Sequence, residues 1–267
     1  QEEAPPRTAV PAAGVPASRE DTLAAHQAAL RGARLLLVDD NAINLEIAST
    51  ILRRAGLAVV SATSGRDALE MLRQQDFDGV LMDCQMPGMD GYATTRALRA
   101  LPKWHALPVI AMTANALVAD RERALASGMN DHVAKPIDVV ALFSALARWV
   151  RPGQGRSAPL AETPQAVATP SSGIDRHAGI SAALGDDLLY ARFLDMFKDR
   201  EADFPQRFMQ ALGAGDRPAA MRMAHDLKCV AGTLGIGEVH RTAGDLERAC
   251  LAEADGATLK DLVAVVG

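Results

Sequence analysis

Three aspartates, a threonine and a lysine stand at the ends of short apolar runs: Asp39 and Asp40 after Leu35-Leu36-Leu37-Val38, Asp83 after Val80-Leu81-Met82, Thr113 after Val109-Ile110-Ala111-Met112, and Lys135 after His132-Val133-Ala134. Apolar runs of this length that break at a polar residue and then at Pro or Gly read as buried strands. If the strands are parallel, their ends share one edge and the five side chains converge where open α/β sheets bind ligands. Three carboxylates gathered there repel by roughly several kcal/mol at an effective dielectric near 20, so a cation must sit among them. An all-oxygen set with two or three carboxylates suits Mg²⁺, which keeps waters and leaves room for a phosphoryl oxygen. The Thr113 hydroxyl and Lys135 would bind the other oxygens, and a carboxylate beside them can attack a phosphoryl group to give an aspartyl-phosphate. A lone strand-end aspartate such as Asp83 also serves simply to cap a loop; the company of the other four residues is what favours chemistry.

A second reactive group lies in Ala224-His225-Asp226-Leu227-Lys228-Cys229-Val230-Ala231-Gly232. At about 100° per residue, Met223, Leu227, Ala231 and Leu234 fall roughly 160–240° from His225 and form a core face, whereas Met221, Lys228, Cys229 and Gly232 lie within about 60° of it. His225 is therefore expected on the exposed side, with a cation one turn on and small neighbours. A neutral imidazole is nucleophilic near pH 7, and Lys228 can attract a phosphoryl group. A solvated surface histidine is the plainer alternative.

The elements that must position these groups alternate. Strands are expected at 35–38, 58–62, at Val80–Asp83, 109–113 and 132–134, and helices over 43–55, 66–73, 93–101, 119–126 and 139–150. Five apolar strands alternating with five helices predict a doubly wound α/β fold with a parallel sheet. Residues 1–32 read as a linker and connector with a short helix over 18–30, and 151–173, rich in Pro, Gly and Ser, as a linker. Beyond it the period is purely helical: a long stretch over 187–212 interrupted near Pro205, then 216–234, 238–251 and 258–266, a small all-α bundle. The last helix looks truncated, and the chain reads as a fragment at both ends.

Composition narrows the function classes. The 267 residues carry a net charge of −5, with 15 Lys+Arg against 17 Asp+Glu in 1–150 and 13 against 16 in 151–267, so neither half offers a basic field for nucleic acid. Cys84, Cys229 and Cys250 contain no CxxC spacing, which argues against a disulfide framework or zinc site and fits a reducing cytoplasm. No apolar run approaches a membrane span, so no membrane contact is expected here, although a parent protein anchored in the inner membrane is compatible. Neither a P-loop nor a dinucleotide fingerprint occurs.

The motifs Val38-Asp39-Asp40-Asn41, Met82-Asp83-Cys84-Gln85-Met86-Pro87-Gly88-Met89-Asp90-Gly91, Met112-Thr113-Ala114-Asn115-Ala116 and Ala134-Lys135-Pro136-Ile137 resemble those of the receiver domain of two-component signalling proteins, over residues 33–150. The resemblance implies the flavodoxin-like strand order 2-1-3-4-5, Asp83 as phosphoacceptor, Mg²⁺ held by Asp40, Asp83 and the Gln85 backbone carbonyl with Asp39 acting through water, and Thr113 and Lys135 on the phosphoryl oxygens. His132 departs from the Tyr or Phe usual there, which puts the aromatic switch in doubt. Residues 174–267, through His225-Asp226-Leu227-Lys228 and Gly232, resemble the histidine phosphotransfer (HPt) domain; Cys229 stands where that family usually has Gly.

The pair resembles the carboxyl-terminal modules of a hybrid sensor histidine kinase, which implies phosphoryl flow from a kinase histidine to Asp83, then His225, then a separate response regulator. The implied partners are a histidine kinase core, in the same parent protein or a dimer mate, and a downstream receiver. No ATP-binding core is recognisable here, so an enzymatic activity of this chain itself is left open. Two rivals remain: a phosphorylation-independent docking scaffold, and a Mg-dependent phosphatase of the haloacid dehalogenase type, which wants Asp-x-Asp where this chain has Asp39-Asp40-Asn41.

Overall fold

The computed structural model describes residues 19–113, 118–153, 179–180, 183 and 185–266. The proline-rich start, most of the 151–173 linker and residues 114–116 of the threonine motif lie outside the described residues.

Five parallel strands, β1 (Arg34–Val38), β2 (Ala58–Ala62), β3 (Gly79–Asp83), β4 (Val109–Thr113) and β5 (Asp131–Ala134), form one sheet in the order β2-β1-β3-β4-β5. This is the 2-1-3-4-5 order that the resemblance implied. Each strand sends alternate side chains to opposite faces. Leu35, Leu37, Leu81, Ile110 and Met112 join one core, while Leu36, Val38, Val80, Met82 and Ala111 join the other. Both faces are covered by helices, which is why the strands read as continuous apolar runs rather than as alternation.

The helices are α1 (Arg19–Leu30), α2 (Ala42–Arg54), α3 (Gly65–Gln74), α4 (Gly91–Arg99), α5 (Val118–Ala126) and α6 (Val139–Trp149). Side-chain caps start several of them: Asn41 accepts from the Ile43 amide at 2.9 Å, Asp90 from Ala93 at 2.6 Å and Asp138 from Ala141 at 2.8 Å, each such cap being worth about 1 kcal/mol. The expected connector helix is present as α1, and it packs on the α/β half: Leu30 is fully buried and His26 reaches Ser144 of α6 at 3.3 Å.

The second half is helical, with α7 (Asp187–Glu201), α8 (Phe204–Gly213), α9 (Arg217–Thr233), α10 (Gly237–Leu251) and α11 (Gly256–Val266). The stretch expected as one interrupted helix is two. Pro205 sits in the first turn of α8, where its missing N–H costs nothing, and its ring would collide with the Glu201 carbonyl if α7 ran on. Phe204, Phe208, Ala224, Leu227, Leu246 and Leu259 fill the bundle core. The N-terminal half of α7 does something the sequence does not announce: Leu189, Tyr190 and Phe193, with Val230 and Leu234, are continuous with the core of the α/β domain. Arg54 of α2 pairs with Asp186 at 2.5 Å, and Glu46 with Arg192 at 3.1 Å, across this junction.

Candidate active site

Register brings the carboxylates together. Val38 pairs with Met82, so the next residues, Asp39 and Asp83, leave adjacent strands side by side. Asp39, Asp40 and Asp83 offer oxygens within 4.8 Å of one another. At that separation each charged pair repels by about 3 kcal/mol at an effective dielectric of 20. The Lys135 ammonium offsets part of this, standing 2.8 Å from Asp39 and 2.9 Å from Asp83. Burial opposes the lysine charge, but Asp39 and Asp83 outweigh it and hold its pKa well above the ordinary value.

The three aspartates are not equivalent. Asp39 is saturated, accepting from Lys135, from the Asn41 amide at 2.9 Å and from Asn44 Nδ2 at 3.2 Å. Asp83 accepts from the Gln85 amide at 3.2 Å, and burial, helped by Asp39, lifts its carboxyl to about 6 against the pull of Lys135. Asp40 is raised by burial and by Asp39, and its Oδ1 is buried with no hydrogen-bond partner. Thr113 is buried at the end of β4, where the Lys135 amide donates to its carbonyl at 2.7 Å. The loop after Asp83 is shaped by glycine: a Cβ on Gly91 would stand 2.1 Å from the Asp83 carbonyl oxygen, and Gly88 has φ +76°.

His225 lies on α9 but is not exposed as its helical phase predicts; only 5% of its surface is accessible. Phase marks only the apolar face of the helix, and the neighbouring helix of the same bundle reaches across the side that bears His225. Glu247 of α10 holds Nδ1 at 2.7 Å, and Cys229 Sγ lies 3.4 Å from Nε2. Burial opposes protonation, but the bonds to Cys229 and Glu247 raise the imidazole pKa to about 10. Burial likewise opposes charge on Glu247, which His225 and Lys228 bring down to about 2; Lys228 Nζ is 2.5 Å from Glu247 Oε2. Glu247 carries no sequence signal: it is 22 residues from His225 and meets it only because α9 and α10 pack. The helix that bears His225 also meets the carboxyl edge of the sheet. A Cβ on Gly232 would lie 3.1 Å from Pro136 Cγ, Cys229 acts electrostatically on Lys135, and Arg222 on Asp40. The two sites read separately from the sequence thus share one junction.

The response regulator receiver domain family matches residues 35–147, and the Hpt domain family matches residues 192–266. The chain carries a response regulator receiver domain followed by an Hpt domain. It is 33% identical over 205 residues to the signal transduction histidine-protein kinase BarA of Shigella flexneri, covering 76% of this chain and 22% of that protein. To the sensor protein GacS of Pseudomonas syringae pv. syringae it is 42% identical over 125 residues, 45% of this chain and 14% of that one. The receiver–Hpt chain thus spans about a fifth of the length of the curated relatives it matches. Among solved structures, the receiver domain of sensor histidine kinase PA1611 from Pseudomonas aeruginosa PAO1, described with a magnesium ion in its active-site cleft, is 42% identical with a TM-score of 0.42, covering 44% of this chain and 97% of that one. The receiver and Hpt domains make this a chain of phosphorelay signal transduction. No helix among the described residues is long and apolar enough to cross a membrane.

Proposed function

We propose that Asp83 accepts a phosphoryl group from the phosphohistidine of a kinase core and that His225 takes it on, for delivery to a receiver of a separate response regulator. The observation that carries this is the meeting of the Asp39–Asp40–Asp83–Lys135 cluster with the His225 helix at one junction. In the first step an Asp83 carboxylate oxygen bonds to phosphorus as the P–N bond to the donor imidazole breaks. In the second, His225 gives up its Nε2 proton to solvent as Nε2 bonds to phosphorus, the P–O bond breaks, and the Asp83 carboxylate is restored.

The cluster fits a divalent cation: its donors are hard oxygens, it carries more negative charge than Lys135 cancels, and one buried oxygen of Asp40 lacks a partner. Asp40, Asp83 and the Gln85 carbonyl would hold Mg²⁺, with Asp39 supporting through water. When bound, the ion screens the phosphoryl oxygens and neutralises charge developing in transfer. Lys135, released from one carboxylate, and Thr113 bind the remaining phosphoryl oxygens. Glu247 accepts Nδ1–H of His225, so the proton given up for attack is the one on Nε2, beside Cys229. Lys228 orients Glu247 and assists without being the nucleophile's partner.

The test supplies a phosphorylated kinase core, or acetyl phosphate, with MgCl₂ and maps the products. Asp83→Asn is expected to lose the acid-labile phosphate, and His225→Gln to retain it while losing onward transfer. Undiminished aspartyl-phosphate in Asp83→Asn, or phosphohistidine at His177 or His240 with relay intact in His225→Gln, would overturn the assignment.

A further inference from the structure

The helix that carries His225 turns a carboxylate toward the acidic cluster. Arg222, Asp226 and Cys229 recur at i, i+4 and i+7 on α9 and form one stripe. That stripe faces the carboxyl edge of the sheet: Arg222 acts on Asp40, Asp226 is acted on by Asp40, Lys135 and Asp39, and Cys229 acts on Lys135. Gly232, one turn beyond Cys229, abuts Pro136. Docking of the Hpt domain therefore brings a fourth carboxylate to a cluster whose resident ammonium is already shared by Asp39 and Asp83. Arg222 pulls the other way through Asp40, so the docked state is a balance set by the charge at the cluster.

We propose that Asp226 couples docking of the Hpt domain on the receiver to divalent-cation binding at the acidic cluster. The inference rests on reading that cluster as a Mg²⁺ site. With the cation absent, Asp226 adds repulsion to the junction; with it present, the same charge adds to the potential that retains the ion. Coupling is reciprocal, so whatever factor the docked Hpt domain adds to cation affinity, the cation adds to docking. The receiver then holds its histidine partner when it is loaded for transfer and relaxes its hold when it is not.

The test uses the full chain. Calorimetric titration with MgCl₂ compares the wild type with Asp226→Asn and Asp226→Ser, and alkylation of Cys229 by iodoacetamide, mapped by mass spectrometry, reads docking, because Cys229 is buried at this junction. We expect both variants to bind Mg²⁺ about tenfold more weakly, within the usual range for coupled sites. Wild-type Cys229 should react more slowly once MgCl₂ is added, and the variants should lose most of that response. Equal Mg²⁺ affinity in wild type and variants, or a Cys229 rate indifferent to MgCl₂ in the wild type, would overturn the proposal. Asp40→Asn separates the two readings: binding lost there but unchanged in both Asp226 variants removes this inference alone, whereas a wild type that binds no Mg²⁺ removes the cation site with it.

Discussion

Replacing Glu247 by Gln removes a carboxylate that holds both His225 and Lys228 while keeping the side chain's shape. The rise of His225 from 6.5 to about 10 corresponds to roughly 5 kcal/mol at 1.36 kcal/mol per unit. That rise is net of the opposing cost of burial, so the loss on removing the Glu247 carboxylate is set by a hydrogen bond to a charged group, about 2 kcal/mol. The pH window follows from the two shifts. His225 is raised, so its contribution is complete below pH 6.5 and is lost as pH climbs toward 10. Glu247 is depressed to about 2, so its contribution is complete above 4.5 and is lost as pH falls toward 2. Both are present together between pH 4.5 and 6.5. Urea unfolding of the full chain followed by helical circular dichroism, at pH 3, 5.5 and 9.5, should show Glu247→Gln destabilised by about 2 kcal/mol at pH 5.5 and by clearly less at either extreme. A stability gap that stays flat across the three pH values would refute the charge-pair reasoning and leave only loss of packing.

Three further outcomes are expected. Gly91→Ala forces a methyl to within 2.1 Å of the Asp83 carbonyl oxygen, so thermal unfolding should fall by several degrees, a loss of about 2 kcal/mol or more as for overpacked sites, and aspartyl-phosphate formation should slow with it. Lys228→Ala should slow transfer from Asp83 to His225 severalfold in a quench-flow assay without abolishing it, because Glu247 retains its bond to the imidazole. Phosphorylation, or a phosphoryl mimic, adds about −1.5 to −2 charges beside Thr113 and Lys135, and amide shifts should spread to α5 and β5. Shifts confined to the loop after Asp83 would mean that phosphate passes through without a conformational output, as the missing aromatic at His132 favours.

Much of the receiver was legible because its signals are local. Strand ends coincide with the switch from Val, Leu and Ile to Asp, Thr or Lys, and a parallel sheet necessarily collects such ends on one edge, so Asp39, Asp40, Asp83, Thr113 and Lys135 could be grouped without knowing the strand order. The helix starts were placed by apolar spacing alone, and the structure adds the caps Asn41, Asp90 and Asp138, whose side chains take the first free amides. The bundle's helices followed from apolar spacing, which also showed an interruption near Pro205, although the structure makes of that stretch two separate helices. Tertiary structure alone decided the rest. Helical phase placed His225 away from the apolar face of α9, but phase knows nothing of how α10 packs, and Glu247 of α10 covers that side. Glu247 and Asp226 are ordinary surface carboxylates in the sequence; packing of α9 against α10 makes the first a partner of His225, and the seating of α7 on α2 turns the second toward Asp40. That Lys135 bridges Asp39 and Asp83 is likewise a tertiary fact: the register of β1, β3 and β5 puts one ammonium between two carboxylates, where each lowers the cost of burying the other.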